Sequence, residues 1–251
     1  MNKVAVITGA TSGIGEAIAM SFGDEAWNLV LTGRNSNKLN DQVKTFSQGA
    51  TKAVAVSGDM KDESVVFKCL SASEKTWGLA PDLFVLSAGR GLPGTLLSSN
   101  PDEWEDLLAL NYLSVMKQLR ACGQFFLGLK KKDTSTIVRD IVVIGSTAGR
   151  QVSASNPVYG STKFALHSLV ESLRQELCEH MIRVTLIEPG FVKSNFQKSA
   201  GYDMKWFDSI EEANGPLLEP VDVARVVTFI VNQPPHVHLD DIRIRPTRQK
   251  S

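Results

Sequence analysis

Lys3-Val-Ala-Val-Ile-Thr8, followed at once by Gly9-Ala-Thr-Ser-Gly13-Ile-Gly15, is the stretch that decides the fold. The first part is a short apolar, β-branched run, which predicts a buried parallel strand. Helix-forming residues, Glu16-Ala-Ile-Ala-Met20, come directly after the glycines. Glycines in this position let the backbone turn tightly and let a pyrophosphate approach the amides at a helix N-terminus. The stretch therefore predicts a dinucleotide-binding unit, although a glycine-rich turn can also be purely structural.

Strand-like and helix-like segments alternate along the rest of the chain. This alternation predicts an α/β protein with a single Rossmann-type, doubly wound parallel sheet of about seven strands and helices on both faces. Strands are expected near 3–8, 28–33, 52–57, 82–87, 138–145, 182–188 and 241–245. Helices are expected near 13–23, 36–47, 62–77, 101–130, 156–180 and 220–232. A length of 251 residues suits one α/β domain, and no repeat or linker divides it, so residues 1–251 are predicted to form a single domain.

A second motif, Tyr159-Gly-Ser-Thr-Lys163, places a phenol and an ammonium group one turn apart on a predicted helix. A phenol has a pKa near ~10 in water, and a fixed ammonium group beside it favours the phenolate and lowers that pKa. Ser146, which precedes the tyrosine, adds a hydroxyl that can orient a substrate. The Y-x-x-x-K spacing alone is more often an ordinary helical pair, so its weight depends on the glycine turn.

Together these motifs resemble the short-chain dehydrogenase/reductase family, and the likeness covers nearly the whole chain. The further landmarks appear in the family's order: Gly58-Asp59, Ser87-Ala88-Gly89, Asn111 in a long helix, and Pro189-Gly190-x-Val192-x-Ser194. The chain departs from the family at Leu86-Ser87, where paired asparagines are usual. We therefore expect the amide bonds that tie neighbouring strands there to be lost.

The resemblance implies hydride transfer between a nicotinamide cofactor and a carbonyl or secondary alcohol. Tyr159 would exchange a proton with the substrate oxygen, to which Ser146 would hydrogen-bond. Lys163 would lower the pKa of the phenol and bond the nicotinamide ribose, and Asn111 would hold a water beside it. The resemblance places cofactor contacts at Gly9, Thr11, Ser12, Gly13, Ile14, Gly15, Arg34, Asp59, Met60, Ser87, Ala88, Gly89, Tyr159, Lys163, Pro189, Gly190, Val192 and Ser194.

The end of the second predicted strand, Leu29-Val-Leu-Thr-Gly33-Arg34-Asn35, indicates which nicotinamide cofactor is bound. NAD-preferring sites place an Asp or Glu about 20 residues beyond the glycine turn, where this chain has Gly33. Since no carboxylate repels a 2′-phosphate, Arg34 can bind it with a charge-assisted fork, and Ser12, Asn35 and Lys38 could add donors. The sequence predicts NADP(H); the alternative is a solvent-facing arginine at a strand end.

The segment from Phe191 to Leu218 is predicted to be a long, irregular substrate-binding lid, because loops at the carboxyl edge of such sheets often cover the site. Its aromatic residues favour an apolar pocket cover or, equally, a small satellite core. Arg90 and Arg150 could bind an anionic group or be solvated. A hydrophobic ketone, a keto acid and an acyl-thioester all remain possible substrates.

Formal net charge is zero, which gives no reason to expect a nucleic-acid partner, and no apolar run is long enough for a membrane span. Cys69, Cys122 and Cys178 are expected to be buried free thiols in a reducing compartment; with no leader visible, the protein is expected to be cytoplasmic. His236 and His238 lack an evident third ligand, so no metal site is expected.

The charged run Lys130-Lys131-Lys132-Asp133 is expected to form a solvated loop, and the basic carboxyl end is expected to form an edge strand that stops at Pro246. The resemblance further implies a homodimer or homotetramer built through helices 101–130 and 156–180. Two alternatives to a dehydrogenase stay open: a non-catalytic NADP-binding sensor or scaffold, and a sugar-nucleotide epimerase or dehydratase that uses the same Tyr/Lys pair.

Overall fold

The apolar run that opens the chain forms the centre of a parallel sheet. In the computed structural model, which describes residues 3–132 and 137–250, the strands of the described chain are β1 (Val4–Thr8), β2 (Asn28–Gly33), β3 (Ala53–Ser57), β4 (Leu83–Leu86), β5 (Arg139–Ile144), β6 (Ile182–Pro189) and β7 (Asp241–Ile244). They form one seven-stranded sheet in the order β3-β2-β1-β4-β5-β6-β7, and every neighbouring pair is parallel. The predicted Rossmann-type fold is confirmed, with β7 at the edge.

Helices cover both faces of this sheet. In the described residues they are α1 (Gly13–Asp24), α2 (Ser36–Phe46), α3 (Glu63–Trp77), α4 (Trp104–Leu108), α5 (Ser114–Lys132), α6 (Pro157–Leu177), α7 (Phe196–Ser199), α8 (Met204–Asn214) and α9 (Pro220–Val231). Alternate residues of β1 enter opposite cores: Val4 and Val6 pack with α3, α5 and α6, whereas Ala5 and Ile7 pack with α1, α2 and α9. Because both faces are buried at the centre of the sheet, β1 and β4 are nearly continuous apolar runs, whereas the edge strand β7 alternates between exposed and partly buried residues.

The long helix predicted over 101–130 is interrupted in the structure. A 3₁₀ turn at Pro101–Glu103 leads into α4, and a π-helical turn at Ala109–Leu113 separates α4 from α5. The π turn carries Asn111, which is 1 % exposed. α5 continues through Lys132, so the expected solvated loop is wrong for Lys130–Lys132, and Asp133 lies outside the described residues.

The segment 191–218 leaves the sheet after β6 and returns to its own starting point. A parallel bridge pairs Val192 with Leu218, and the Lys193 N–H donates to the Leu218 carbonyl over 2.7 Å. The expectation of an irregular segment is wrong in part, because α7 and α8 lie inside this excursion and the Asp203 carboxylate caps the start of α8.

Two of the three cysteines are buried as expected, Cys69 and Cys122, but Cys178 is exposed. The expectation is wrong for Cys178 because α6 ends at Leu177, and the following 3₁₀ turn carries the thiol to the surface. Among the described residues, no helix has the length and hydropathy that crossing a bilayer requires.

Candidate active site

The turn between β1 and α1 is shaped by close backbone approach. Gly9 and Gly13 have φ angles of +67° and +53°, a region that favours glycine. A Cβ on Gly15 would overlap the Gly9 carbonyl, so the first turn of α1 packs directly on the loop before it. Within the described chain the Ser12 side chain makes no capping hydrogen bond to α1. The first-turn amides of α1 are therefore available to an anion.

The residues predicted to select the cofactor lie beside this turn. Arg34 is exposed at the end of β2, and Lys38 Nζ reaches to 3.5 Å from the Thr11 carbonyl oxygen. A Cβ at Gly33 would lie 2.9 Å from the Thr11 methyl group, which explains why glycine occupies the position of the usual acid. Asn35 has a structural role, since its Oδ1 accepts the Lys38 N–H over 3.1 Å and caps α2.

The residues that follow β3 and β4 carry further predicted cofactor contacts, at the same carboxyl end of the sheet. Asp59 follows β3 and its Oδ1 accepts the Lys61 N–H, whereas the Met60 side chain is buried in the core, which leaves only its backbone for a cofactor contact. After β4, the Thr8 hydroxyl accepts the N–H groups of Ser87 and Ala88 over 3.0 and 3.2 Å. Thr8 thus ties β1 to β4 where the family's asparagines are missing.

Across the cleft from the glycine turn lies the loop that follows β6. Ser194 approaches Gly13 closely, with its Cβ 3.7 Å from the position of a Cβ on Gly13. The Ser194 hydroxyl also accepts the Phe196 N–H over 3.3 Å, and Val192 is buried against the core shared with Ile14. Pro189 is the last residue of β6. The glycine turn and the loop after β6, the two sides of the predicted cofactor cleft, therefore both lie at the carboxyl ends of the strands.

Tyr159, Lys163 and Ser146 converge where β5 ends. Tyr159 and Lys163 lie one turn apart on α6, and each is 8 % exposed. Lys163 Nζ donates to the Ile144 carbonyl over 3.1 Å and lies 5.8 Å from the centre of the Tyr159 ring. Ser146 begins the 3₁₀ turn Thr147–Gly149, and its hydroxyl is within hydrogen-bonding reach of the Tyr159 phenol.

Burial controls how these groups titrate. It raises the pKa of the Tyr159 phenol well above its ordinary value, and the hydrogen bond from Ser146 opposes that shift. It lowers the pKa of Lys163 to about 8. The expected lowering of the phenol pKa by Lys163 is not found in the protein by itself, where desolvation is the largest cause and Ser146, not Lys163, is the group that opposes it. The phenol is held protonated, ready to donate.

Asn111 is held beside these groups by its side-chain amide. Its Nδ2 donates to the Arg90 carbonyl over 2.7 Å, and its Oδ1 accepts the Arg90 N–H over 3.0 Å. A Cβ on Gly89 would lie 3.3 Å from Asn111 Oδ1 and 3.9 Å from Lys163 Nζ. Asn111 therefore fixes the loop that follows β4 next to Lys163. The sequence did not predict this contact.

Aromatic side chains from the 191–218 excursion cover the tyrosine. The rings of Tyr159 and Phe196 meet edge to face at 6.0 Å, and Tyr202 stacks on Trp206 at 5.9 Å. The Tyr202 hydroxyl is hydrogen-bonded by the Asn156 side chain and by the Leu92 backbone. Helices α7 and α8 are thus packed against the site as a cover.

The two arginines that were considered as anion sites are partly exposed, and both form ion pairs within the chain. Arg90 pairs with Glu103 and, over 2.9 Å, with Asp106. Arg150 donates to the fully buried Glu188 over 2.8 Å and also pairs with Asp241. Both side chains are thus engaged by carboxylates of the chain, and whether either one also contacts an anionic substrate stays a prediction.

The Glu188 carboxylate links three elements of the site. Besides Arg150, which follows the Ser146 turn, it lies 2.7 Å from His167 Nε2, one helical turn beyond Lys163. Glu188, His167 and Asp241 approach as potential metal ligands do, but the Arg150 guanidinium already supplies the positive charge among them. His238 Nε2 lies 3.1 Å from the Val184 carbonyl oxygen, which gives that residue a backbone partner.

Comparisons with known proteins agree with this geometry. The family described as short chain dehydrogenase matches residues 3–205. An uncharacterised oxidoreductase from Staphylococcus aureus strain USA300 is 31% identical over 245 residues, which is 98% of this chain and 97% of that protein.

Two solved structures share the fold across their full length. The NADP⁺ complex of the closed form of a serine dehydrogenase has a TM-score of 0.84 at 26% identity, covering 99% of this chain and 96% of its own. An alcohol dehydrogenase from the archaeon Thermococcus sibiricus, complexed with 5-hydroxy-NADP, has a TM-score of 0.83 at 25% identity and covers 100% and 99%.

Proposed function

Since the chain belongs to the short-chain dehydrogenase family, we propose that it is an NADP(H)-dependent oxidoreductase that acts on a carbonyl group or secondary alcohol. The observation that carries the proposal is the convergence of Ser146, Tyr159 and Lys163 at the end of β5, opposite the glycine turn. A buried phenol with a hydroxyl partner and a buried ammonium group on one helix face forms a proton-transfer set.

The protein residues handle the proton and the developing charge. Bound NADP(H) supplies or accepts the hydride. In the reductive direction Tyr159, protonated because it is buried, donates its proton to the carbonyl oxygen, and Ser146 hydrogen-bonds that oxygen as negative charge develops. The oxidative direction needs the Tyr159 phenolate: the phenol first releases its own proton to solvent, and the phenolate then accepts the hydroxyl proton of the alcohol. Lys163, with a pKa of about 8, is able to exchange a proton near neutral pH.

The residues at the sheet edge fit an NADP(H) cofactor. The open first turn of α1 suits a pyrophosphate. Lys38 stands beside Thr11, and the exposed Arg34 comes directly after β2, where no carboxylate follows the strand. A 2′-phosphate there would receive charge-assisted hydrogen bonds from both side chains. Assembly into a homodimer or homotetramer is part of the same proposal, supported by half-exposed apolar side chains on α5 and α6 such as Met116 and Phe164.

A panel of ketones, keto acids, acyl-thioesters and alcohols, assayed with NADP(H) and NAD(H), tests the function. We expect turnover with NADP(H), and a loss of about 10²–10⁴-fold in Tyr159→Phe, because the general acid is removed. NADPH affinity, measured by fluorescence, should be largely unchanged in that variant. Arg34→Ala should weaken NADPH binding and leave NADH binding unchanged.

Two results would contradict the proposal. Near wild-type turnover in Tyr159→Phe would exclude the tyrosine as the proton donor. Tighter binding of NADH than of NADPH by the wild-type protein would refute the cofactor assignment. NADPH binding without turnover on the whole panel would instead favour a sensor or scaffold.

A further inference from the structure

The carboxyl-terminal tail folds back onto the loop that follows β6. After β7 ends at Ile244, a turn closed by the Gln249 N–H and the Pro246 carbonyl, 2.9 Å apart, directs the Gln249 side chain inward. Its Oε1 accepts the N–H of Phe191 over 3.0 Å. Phe191 is the residue at which the chain leaves the sheet to begin the excursion over the active site.

The contact continues onto the neighbouring residue. The Gly190 N–H donates to the Ile244 carbonyl over 2.8 Å, so two successive amides at this joint are held by β7 and the tail. A Cβ on Gly190 would overlap Gln249 Oε1, which means that this position admits the glutamine only because it is glycine. The close approach therefore depends both on the missing side chain of Gly190 and on the position of the Gln249 side chain.

The same tail also reaches the other end of the excursion. Arg248 Nη1 donates to the Gly215 carbonyl over 3.2 Å, three residues before the chain rejoins Val192 at Leu218. Two consecutive tail residues thus bond the first and last parts of one segment, and that segment carries Phe196 and Tyr202 over the tyrosine. The Phe191 N–H at one end of the segment and the Gly215 carbonyl near the other are thus both hydrogen-bonded by tail residues.

We infer that Gln249 is a positioning residue of the active site: it holds the joint at Gly190 and Phe191, and with Arg248 it sets the resting position of the aromatic cover. This deepens the proposed function, because Pro189 and Gly190 belong to the predicted nicotinamide contact. How firmly Gln249 attaches the cover can be measured without any turnover.

Limited trypsin digestion of the cofactor-free protein tests the attachment without any substrate. Lys198 and Lys205 are exposed cleavage sites inside the excursion. In Gln249→Ala we expect cleavage there to accelerate about fivefold to tenfold, the change produced by losing one net hydrogen bond in a local opening equilibrium. Gln249→Glu keeps an acceptor oxygen and should return the rate to within about twofold of wild type. Lys250→Ala, on an exposed neighbour in the tail, is the matched control.

Hydrogen exchange on the wild-type chain gives a second readout that no variant's folding can obscure. The Phe191 amide should exchange at least about tenfold more slowly than in a free peptide. With an active substrate, Gln249→Ala should raise KM for NADPH several-fold while kcat stays within about twofold, as expected when ground-state binding is weakened.

Three results would overturn the inference. One is a Gln249→Ala protein cleaved at the wild-type rate; another is a Gln249→Glu protein cleaved as fast as the alanine variant; the third is free-peptide exchange at Phe191. Failure of the carbonyl panel would leave the digestion and exchange results intact, so the two proposals fail separately.

Discussion

At the scale of single residues, the ammonium group of Lys163 is buried against the Ile144 carbonyl, and burial lowers its pKa from 10.5 to about 8. The charged form is therefore disfavoured in the folded protein relative to the unfolded chain. Such a group is a cost to stability that the fold accepts at a functional position. The free energy that burial of Lys163 costs therefore falls as the pH rises and the ammonium group loses its proton.

Between about pH 8 and pH 10.5 the unfolded chain binds more protons at Lys163 than the folded chain does, so the free energy of unfolding rises with pH across this window. Lys163→Met removes that contribution. We expect the stability of wild type relative to the variant to rise by roughly 1–3 kcal/mol from about pH 7.5 to about pH 10. Urea unfolding of both proteins over a pH series measures the difference. A difference that stays level or falls would show that Lys163 titrates normally.

At the scale of elements, the aromatic cover rests on a glycine. A Cβ on Gly91 would lie 2.7 Å from Tyr202 Cε2 and 3.0 Å from Phe196 Cε1, so α7 and the turn that joins it to α8 pack as closely as the backbone after β4 permits. Gly91 itself is buried, and Leu92 bonds the Tyr202 hydroxyl through its backbone. The position of the cover is thus set by its contact with the loop that follows β4, as well as by the tail contacts at the two ends of segment 191–218.

Gly91→Ala should displace this cover, because two aromatic rings must move to admit one methyl group. Overpacking of this kind costs about 1–3 kcal/mol, and we expect KM for the carbonyl substrate to rise roughly tenfold. Steady-state kinetics with NADPH measures the effect. Gly128→Ala is the control: nothing lies within 4 Å of its Cβ position in α5, and helix propensity there favours alanine. An unchanged KM in Gly91→Ala would mean that the cover does not contact the substrate site.

At the scale of the whole molecule, a buried ion pair joins the neighbouring strands β5 and β6 near their amino ends and ties them to the end of α9. Arg183 on β6 donates to both carboxylate oxygens of Asp140 on β5, over 2.7 and 2.9 Å, and both side chains are nearly inaccessible. Arg183 also donates to the carbonyls of Val231, Gln233 and Val237, which follow or end α9. Burial raises the pKa of Asp140 even though Arg183 opposes the shift, so desolvation is the larger effect.

Arg183→Met should therefore lower the free energy of unfolding by about 3–5 kcal/mol, because it leaves Asp140 buried without its partner. The double substitution Asp140→Leu with Arg183→Met should recover part of that loss. Chemical denaturation measures both, with Arg225→Met as control, since its pair with Asp222 is exposed and is worth less than about 1 kcal/mol. A double variant that is less stable than Arg183→Met would show that the pair itself is a net stabiliser.

The fold was predictable because its signals are local. The central strands are short apolar runs and the edge strand β7 alternates apolar with charged residues, and all seven strands were predicted to within two residues of their observed ends. The glycine turn and the Tyr159–Lys163 pair are likewise short-range patterns. The contacts of Gln249 with Phe191 and of Arg150 with Glu188 join residues 58 and 38 positions apart. Such contacts exist only after the chain has folded, so no pattern within the sequence predicted them.

The π-helical turn Ala109–Leu113 makes chain length, rather than residue identity, the sensitive variable between α4 and α5. An α-helix advances each residue by about 100°, so deleting one residue from this wider turn would let the helix run straight and rotate Asn111 away from Arg90. Substitutions on the outer side of α4 and α5 do not change the rotation of Asn111 about the helix axis. Deleting one residue on either side of Asn111 within 109–113 changes this rotation, and the Asn111 amide would no longer reach Arg90 although Asn111 itself is kept.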